Sequence, residues 1–212
     1  TSLRVRPAGS SMPPQPDRLA DRHRLAQVAV RAATVRSLLA LWDALIDPTD
    51  LDTSTPTWLD AAMAVVLRGH NESARLAATH IGRTRYAQLG AVGPTPPLVI
   101  PDIEATAKAL MVRGPILLRS QMTRLPLDAA TSSAKAAQAQ AGARRALTGG
   151  RQTITNAVRA DPAATGWRRT TSSNPCDWCA SKAGQVWSTD DDGADFFQAH
   201  DHCGCGAEPI YQ

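Results

Sequence analysis

Apolar side chains recur along the first part of the chain at the spacing of long amphipathic helices. Leu25, Val28, Ala32, Val35, Leu39, Trp42 and Ile46 step alternately by three and four residues, a heptad-like seam. The seam predicts a helix from Asp17, taken as its N-cap, to Asp47, just ahead of Pro48. At about 1.5 Å per residue it would be roughly 45 Å long. Pairing between chains and antiparallel packing within one chain both produce such a seam. The second is expected here, because another helix of similar length follows a turn-rich linker over 47–56. That helix is predicted over 57–89, with Leu59, Met63, Val66, Ala77 and Ile81 on its buried face, Gly69 as a weak point and Gly90 as its stop. His70 and His80 read as surface or satisfied core histidines rather than ligands.

A stiff connector over 93–97 precedes a third helical region that starts at Asp102 and breaks at Gly114-Pro115. Pro126 opens an alanine-rich helix over 129–147, which Gly149 and Gly150 are expected to end. A short helix over 151–160 follows, before Asp161-Pro162. From Gly166 the pattern turns strand-like at Trp167-Arg168-Arg169-Thr170 and again at Gln185-Val186-Trp187. This reads as a hairpin or a three-stranded sheet. The fold class is therefore mainly α, with long antiparallel helices and a small α+β zinc-binding module at the C-terminus. Its expected parts are a flexible arm over 1–16, a long helical hairpin over 17–100, a helical region over 101–165 and the module over 166–212.

Composition supports helices, since aromatics make up only 4% of 212 residues. No run of eighteen apolar residues occurs, so no membrane partner is predicted. No apolar leader with a small-residue cleavage site opens the chain, which argues against an oxidising compartment. The net charge of +4 hides an asymmetry. Residues 103–176 carry eleven Lys/Arg against three acids, whereas 177–212 carry one Lys against seven acids, including Asp190, Asp191 and Asp192. Arg151, Arg159, Arg168 and Arg169 are the candidates for contact with a phosphate backbone or an acidic partner surface. The Asp190 run reads as a solvated loop rather than a cation site.

All four cysteines lie near the C-terminus: Cys176-x-x-Cys179, then His200-x-His202-Cys203-x-Cys205. Such spacing suits a tetrahedral ion held by thiolate and imidazole, and those donors suit Zn(II) rather than magnesium or calcium. Two disulfides, or a redox or iron–sulfur Cys-x-x-Cys, are the rival readings. The ligand pool is Cys176, Cys179, His200, Cys203 and Cys205, with His202 outside the first set of ligands because neighbours point apart in an extended segment. Four protein ligands would saturate the ion and make the zinc structural. It would then clamp a tail that otherwise holds little core. No Gly-rich phosphate loop, Gly-x-Ser-x-Gly elbow or assignable triad is present, and the chain is not expected to be an enzyme or to take a small-molecule substrate.

Residues 148–212 resemble the phage Mu F-like (MuF) minor head proteins, in the version found in tailed phages of actinobacteria. The resemblance rests on Gly150-Arg151, the helix to Val158-Arg159-Ala160-Asp161, Gly166-Trp167-x-Arg169, Asn174-Pro175-Cys176-x-x-Cys179, Ala183, His200-x-x-Cys203-x-Cys205 and Pro209. It implies a minor capsid, head-morphogenesis protein. Its partners would be the portal protein, the major capsid protein and, in some cases, packaged DNA. It would be assembled in the host bacterial cytoplasm and carried in the virion, inside the capsid or at the portal vertex. Some relatives carry a maturation-protease label, for which no residues are found here. The rival from another class is a zinc-dependent nucleic-acid-binding module or nuclease.

Overall fold

The computed structural model describes residues 16–171, 175–189, 197–200 and 203–212. The arm (apart from residue 16), Asn174, the Asp190 run, Phe196 and His202 lie outside the described residues. Helix α1 (Pro16–Leu45) and helix α2 (Leu51–Leu89) run antiparallel, so that Trp42 meets Trp58 edge-on at 5.4 Å and His23 stacks on His80 at 4.4 Å. Asp17 lies inside α1 rather than capping it. The linker is shorter than expected. Asp50 caps α2 by accepting from the Thr53 N–H, and the helix takes in Pro56 as its sixth residue, where the ring removes the i→i−4 donor that would face the Asp52 carbonyl. Gly90 ends α2 at φ 67°, the left-handed conformation that favours glycine.

Asp102 caps α3 (Ile103–Arg113), and the chain breaks at Gly114 before α4 (Pro115–Gln121), as the Gly-Pro pair predicts. Helix α5 (Leu127–Ala160) then runs unbroken through Gly149 and Gly150, where a stop was expected. Packing overrides helix propensity at this point. A Cβ on Gly149 would run into the backbone oxygen of His70, and one on Gly150 would lie 2.6 Å from the Ser73 hydroxyl. The two glycines are the close-approach seam between α5 and α2, and Gly69 faces them from α2 with Thr34 and Ala146 against its Cα. Gly69 is thus a crossing point, not a weak one. Ala146 is buried against Gly69, and further back along α5 Ala130, Ala134 and Ala139 are buried in the core with Leu38, Trp42, Trp58, Leu110 and Leu118.

The apolar seam read on α1 is only partly the buried one. Leu38, Trp42 and Ile46 enter the core, but Leu25 and Val28 are exposed. Toward its N-terminus α1 turns Leu19, His23, Gln27 and Thr34 inward instead, and their polar atoms find partners. Gln27 donates to the Ser73 carbonyl at 3.0 Å and accepts from the Ser73 hydroxyl at 2.7 Å. By length and composition the segment Arg18–Leu45 could cross a membrane, yet here it lies along α2 and α5. On α2 the expected Val66, Ala77 and Ile81 are buried, while in its first turns Trp58 and Ala62 are fully buried beside the half-buried Leu59 and Met63. His70 bonds the Val99 carbonyl at 3.1 Å and His80 is buried beside Thr84, so both are core histidines.

After α5 come β1 (Ala164–Thr170), the short helix α6 (Asp177–Ser181), β2 (Val186–Ser188) and β3 (Gly206–Tyr211). They form an antiparallel sheet in the order β2–β1–β3. The sheet packs on α2 and α5 through Trp167, Ala207 and Tyr211, against Ile81, Ile154 and Val158. A buried ion pair between Arg85 and Asp161 (2.7 Å) ties the ends of α2 and α5 at the same place. The tail therefore has a core, borrowed from the long helices, contrary to the expectation of a nearly coreless segment.

Two outcomes follow from this packing. Gly149→Ala should cost about 1–3 kcal/mol of stability, because overpacking against a backbone oxygen outweighs a propensity gain of about 1 kcal/mol. Gly82→Ala, with nothing within 4 Å, should stabilise by roughly 0.5–1 kcal/mol. Denaturant unfolding checks both, and equal effects would refute the seam. Burial pushes His23 down to about 4 and His80 down to about 3, with His23 and Arg83 adding to the shift on His80. Both stay neutral in the fold while the unfolded chain takes up protons below about 6.5. Stability should therefore be full above that pH and fall as the pH drops toward 4, on the order of a few kcal/mol. Unfolding midpoints of the His23→Gln, His80→Gln double variant should decline less over the same range. A decline as steep as that of the unaltered chain would remove the histidines from the explanation.

Candidate metal centre

Two segments converge beside the sheet. The first is a Cys-x-x-Cys turn entering α6. Cys176 caps that helix, its sulfur accepting from the Cys179 N–H at 3.4 Å, and the Cys176 carbonyl accepts from Ala180 at 2.8 Å. This places both sulfurs on one side of the turn. The second is the return into β3, where a Cys203 N–H to His200 carbonyl bond of 3.1 Å closes a turn. Cys205 then immediately precedes the strand.

The five sequence-predicted donors come together. Cys176, Cys179 and His200 form one group, Cys179, Cys203 and Cys205 another, and within each the donor atoms lie within 4.8 Å of one another. Cys179 belongs to both. Its sulfur is 3.6 Å from that of Cys203 and 3.8 Å from Nε2 of His200. Zn–S and Zn–N bond lengths place neighbouring ligands of a tetrahedral ion about 3.5–3.8 Å apart, so these two separations match shared coordination. All four cysteines are free, and a disulfide would need sulfurs at about 2.05 Å. Cys179, Cys203 and Cys205 are buried, while Cys176 and His200 face solvent.

Crowding splits the thiols. Cys203 is pulled down to about 4, first by the hydrogen bond from Cys205, with the Arg151 charge adding against the cost of burial. Cys205, giving that bond, is pushed up, and burial raises Cys179 to about 11. The Cys179 N–H lowers Cys176. One thiolate thus forms readily, and a cation is what would let its neighbours ionise beside it.

The arginines are arranged differently from the expectation of a contact surface. Arg151 is 5% exposed. From α5 its Nε donates to the Cys205 carbonyl at 3.1 Å, and its Nη2 donates to the carbonyls of Cys203 (3.0 Å) and Cys205 (2.9 Å). Arg169, 2% exposed, donates to the Gln198 carbonyl at 2.9 Å and lies over the rings of Phe197, Trp178 and Trp187 at 4.0, 4.9 and 5.7 Å. Both are internal struts, so neither reaches a phosphate backbone or a partner. Arg168 pairs with buried Glu208 across β1 and β3 at 2.7 Å, and Arg159 is exposed near the end of α5. Nothing local in the sequence marks Arg151 or Arg169 for the strut role.

Because Cys179 is common to both groups, Cys179→Ser should abolish metal binding, whereas Cys176→Ser and Cys205→Ser should each weaken it. Metal content of the purified variants checks this, and a Cys179→Ser protein that retains full metal would overturn the arrangement.

No curated protein and no solved structure gives a significant match to this chain. The family model described as VG15 protein, however, matches residues 15–212, from the start of α1 through the cysteine cluster to the last residue. Long helices, sheet and cluster therefore fall within a single match, and the chain belongs to the VG15 protein family, a family of phage proteins.

Proposed function

We propose that this chain is a minor capsid protein of a tailed phage, acting in head morphogenesis at the portal vertex or inner capsid wall. Its C-terminal cluster would hold a structural zinc ion. The observation that carries the reading is the way the Cys/His centre is built onto α5. Arg151 grips the carbonyls of two of its cysteines, so an ion there would fix the tail's shape against a long rigid scaffold. Membership of a phage family and the MuF-like motif of the same tail support it. So does the edge formed by α3, α4 and the turn into α5, where Val112, Ile116, Met122 and Leu125 are exposed, as a protein partner requires. The partners would be the portal and major capsid proteins.

The nucleic-acid or nuclease reading is weaker, because two of its four arginine contacts, Arg151 and Arg169, are buried. It demands steep salt dependence of DNA binding. Co-expression with the portal protein is the test. The chain should co-purify with portal rings, and Ile116→Glu with Leu125→Glu should reduce capture at least tenfold without loss of metal. Salt-sensitive DNA binding with no portal capture would favour the rival instead.

A further inference from the structure

Helix α1 is apolar enough to cross a membrane, yet only 17% of its most apolar stretch is buried inside the molecule. From Leu25 to Ala40 its exposed positions are Leu25, Val28, Ala29, Ala33, Ser37 and Ala40, with Arg36 the single charge among them. A helix face so poor in charge is an interaction surface rather than a solvated one. The face is also graded along its length. Bulk lies toward the N-terminus, at Leu25 (58% exposed) and Val28 (38% exposed), and small side chains follow it. Beside the small half, Ala33, Ser37 and Val65 line a groove of about 350 Å³ between α1 and α2, with Arg68 and Glu72 exposed on its rim.

Bulk and groove on one face, displaced along one helix, complement each other across a two-fold axis. With the axis near Ala33, two copies of α1 run antiparallel, and Leu25 and Val28 of each lie over the small half of the other. Parallel pairing would instead set Leu25 on Leu25, stack Arg36 on Arg36 and leave both grooves unfilled. Charge favours the antiparallel order as well. Arg36 lies three residues beyond Ala33 and Val30 three before it, so the axis brings Arg36 of one copy level with Val30 of the other, where Glu72 also lines the groove. Glu72 has only a long ion pair to Arg75, at 3.8 Å, to give up. By symmetry the new pair forms twice.

We propose that the outer face of α1 is a homotypic interface, and that its occupant is a second copy of this chain docked antiparallel across it. The stretch from Leu25 to Ala40 is about 24 Å long and one helix wide, below the size of a standard interface, so the dimer is a weak one. The surface shares no residue with the α3–α4 edge assigned to the portal, and the two contacts can be tested apart.

Sedimentation equilibrium of the full chain from micromolar to millimolar concentration should show monomer passing to dimer, with a Kd on the order of 10–100 µM. Leu25→Glu with Val28→Glu should raise that Kd at least tenfold. Both side chains are exposed, so the unfolding midpoint should not fall. Arg36→Glu should weaken the dimer about threefold to tenfold, and adding Glu72→Arg should restore it. A chain that stays monomeric throughout, or a dimer that survives the Leu25 and Val28 changes, overturns the proposal. Failure of the Glu72 swap to restore the dimer overturns the antiparallel order. Binding of a monomeric chain to phosphatidylcholine vesicles, lost with Leu25→Glu and Val28→Glu, would assign the face to a membrane instead. Loss of portal capture in that same variant, with the chain monomeric, would assign it to the portal.

Discussion

The guanidinium of Arg151 is where the helical scaffold and the cysteine tail become one structure. It sits in α5, the helix that touches every other long element, and its fork closes on the two carbonyls that bracket Gly204. A charge so fully removed from water is unfavourable unless the groups around it are arranged to receive it. Here the receiving groups are tail backbone and tail sulfurs. The position of the β3 entry and the ionisation of the cluster therefore depend on one side chain delivered from a helix some fifty residues earlier in the chain. Phe197, 5.0 Å from the same guanidinium, and Arg169, stacked on Phe197, extend the arrangement across to β1.

Delivering Arg151 at that depth requires α5 to lie very close to α2, and small side chains make this possible. Gly149 and Gly150 let the backbones meet, Ser73 fills the space with a hydroxyl that accepts from the Gly150 N–H at 2.9 Å, and Gln27 of α1 locks that hydroxyl from the far side. Three helices are thus joined through one serine. Glycine in the middle of a 34-residue helix costs propensity, yet a larger residue would push Arg151 outward and leave its fork short of the carbonyls. The local cost is offset by the tertiary contact it permits.

Much of this was legible in the sequence where a residue's chemistry acts locally. Asp102 as a helix start, Gly114-Pro115 as a break, Gly90 as a stop and the Cys-x-x-Cys turn all act through backbone geometry within a few residues, and each is where the pattern put it. The convergence of the Cys and His segments was legible because metal-binding chemistry restricts the alternatives. What was hidden depends on partners distant in the chain. Gly149-Gly150 reads as a helix stop until α2 is seen against it. Leu25 and Val28 read as buried until polar His23, Gln27 and Thr34 are found to take the inner face with partners of their own. Arg151 and Arg169 look like surface charge by composition, and nothing local says that carbonyls and aromatic rings await them inside. The three-stranded alternative holds, but no segment was assigned to its third strand, because Gly206-Ala207-Glu208-Pro209 has weak strand propensity and is held by its pairing to β1.

The tail is held in two ways that differ in strength and in what can undo them. Trp167 is fully buried on α2 and α5, and an aromatic of that size removes about 150–250 Å² from water, an upper estimate of roughly 4–6 kcal/mol from one side chain. Tyr211, Ala207 and the Arg85–Asp161 pair add to that attachment, and Phe197 packs against both this core and the cysteine cluster. The sheet therefore has enough burial to stay docked whether or not a cation occupies the cluster. Among the described residues, the buried apolar groups of the cluster are the three cysteines, with Phe197 and Ala199 packed against them. Its conformation is the part that a metal ion would decide. An ion would act on the face carrying α6, Trp178 and His200, a local surface whose shape coordination would set, with the long helices and the sheet as a frame behind it.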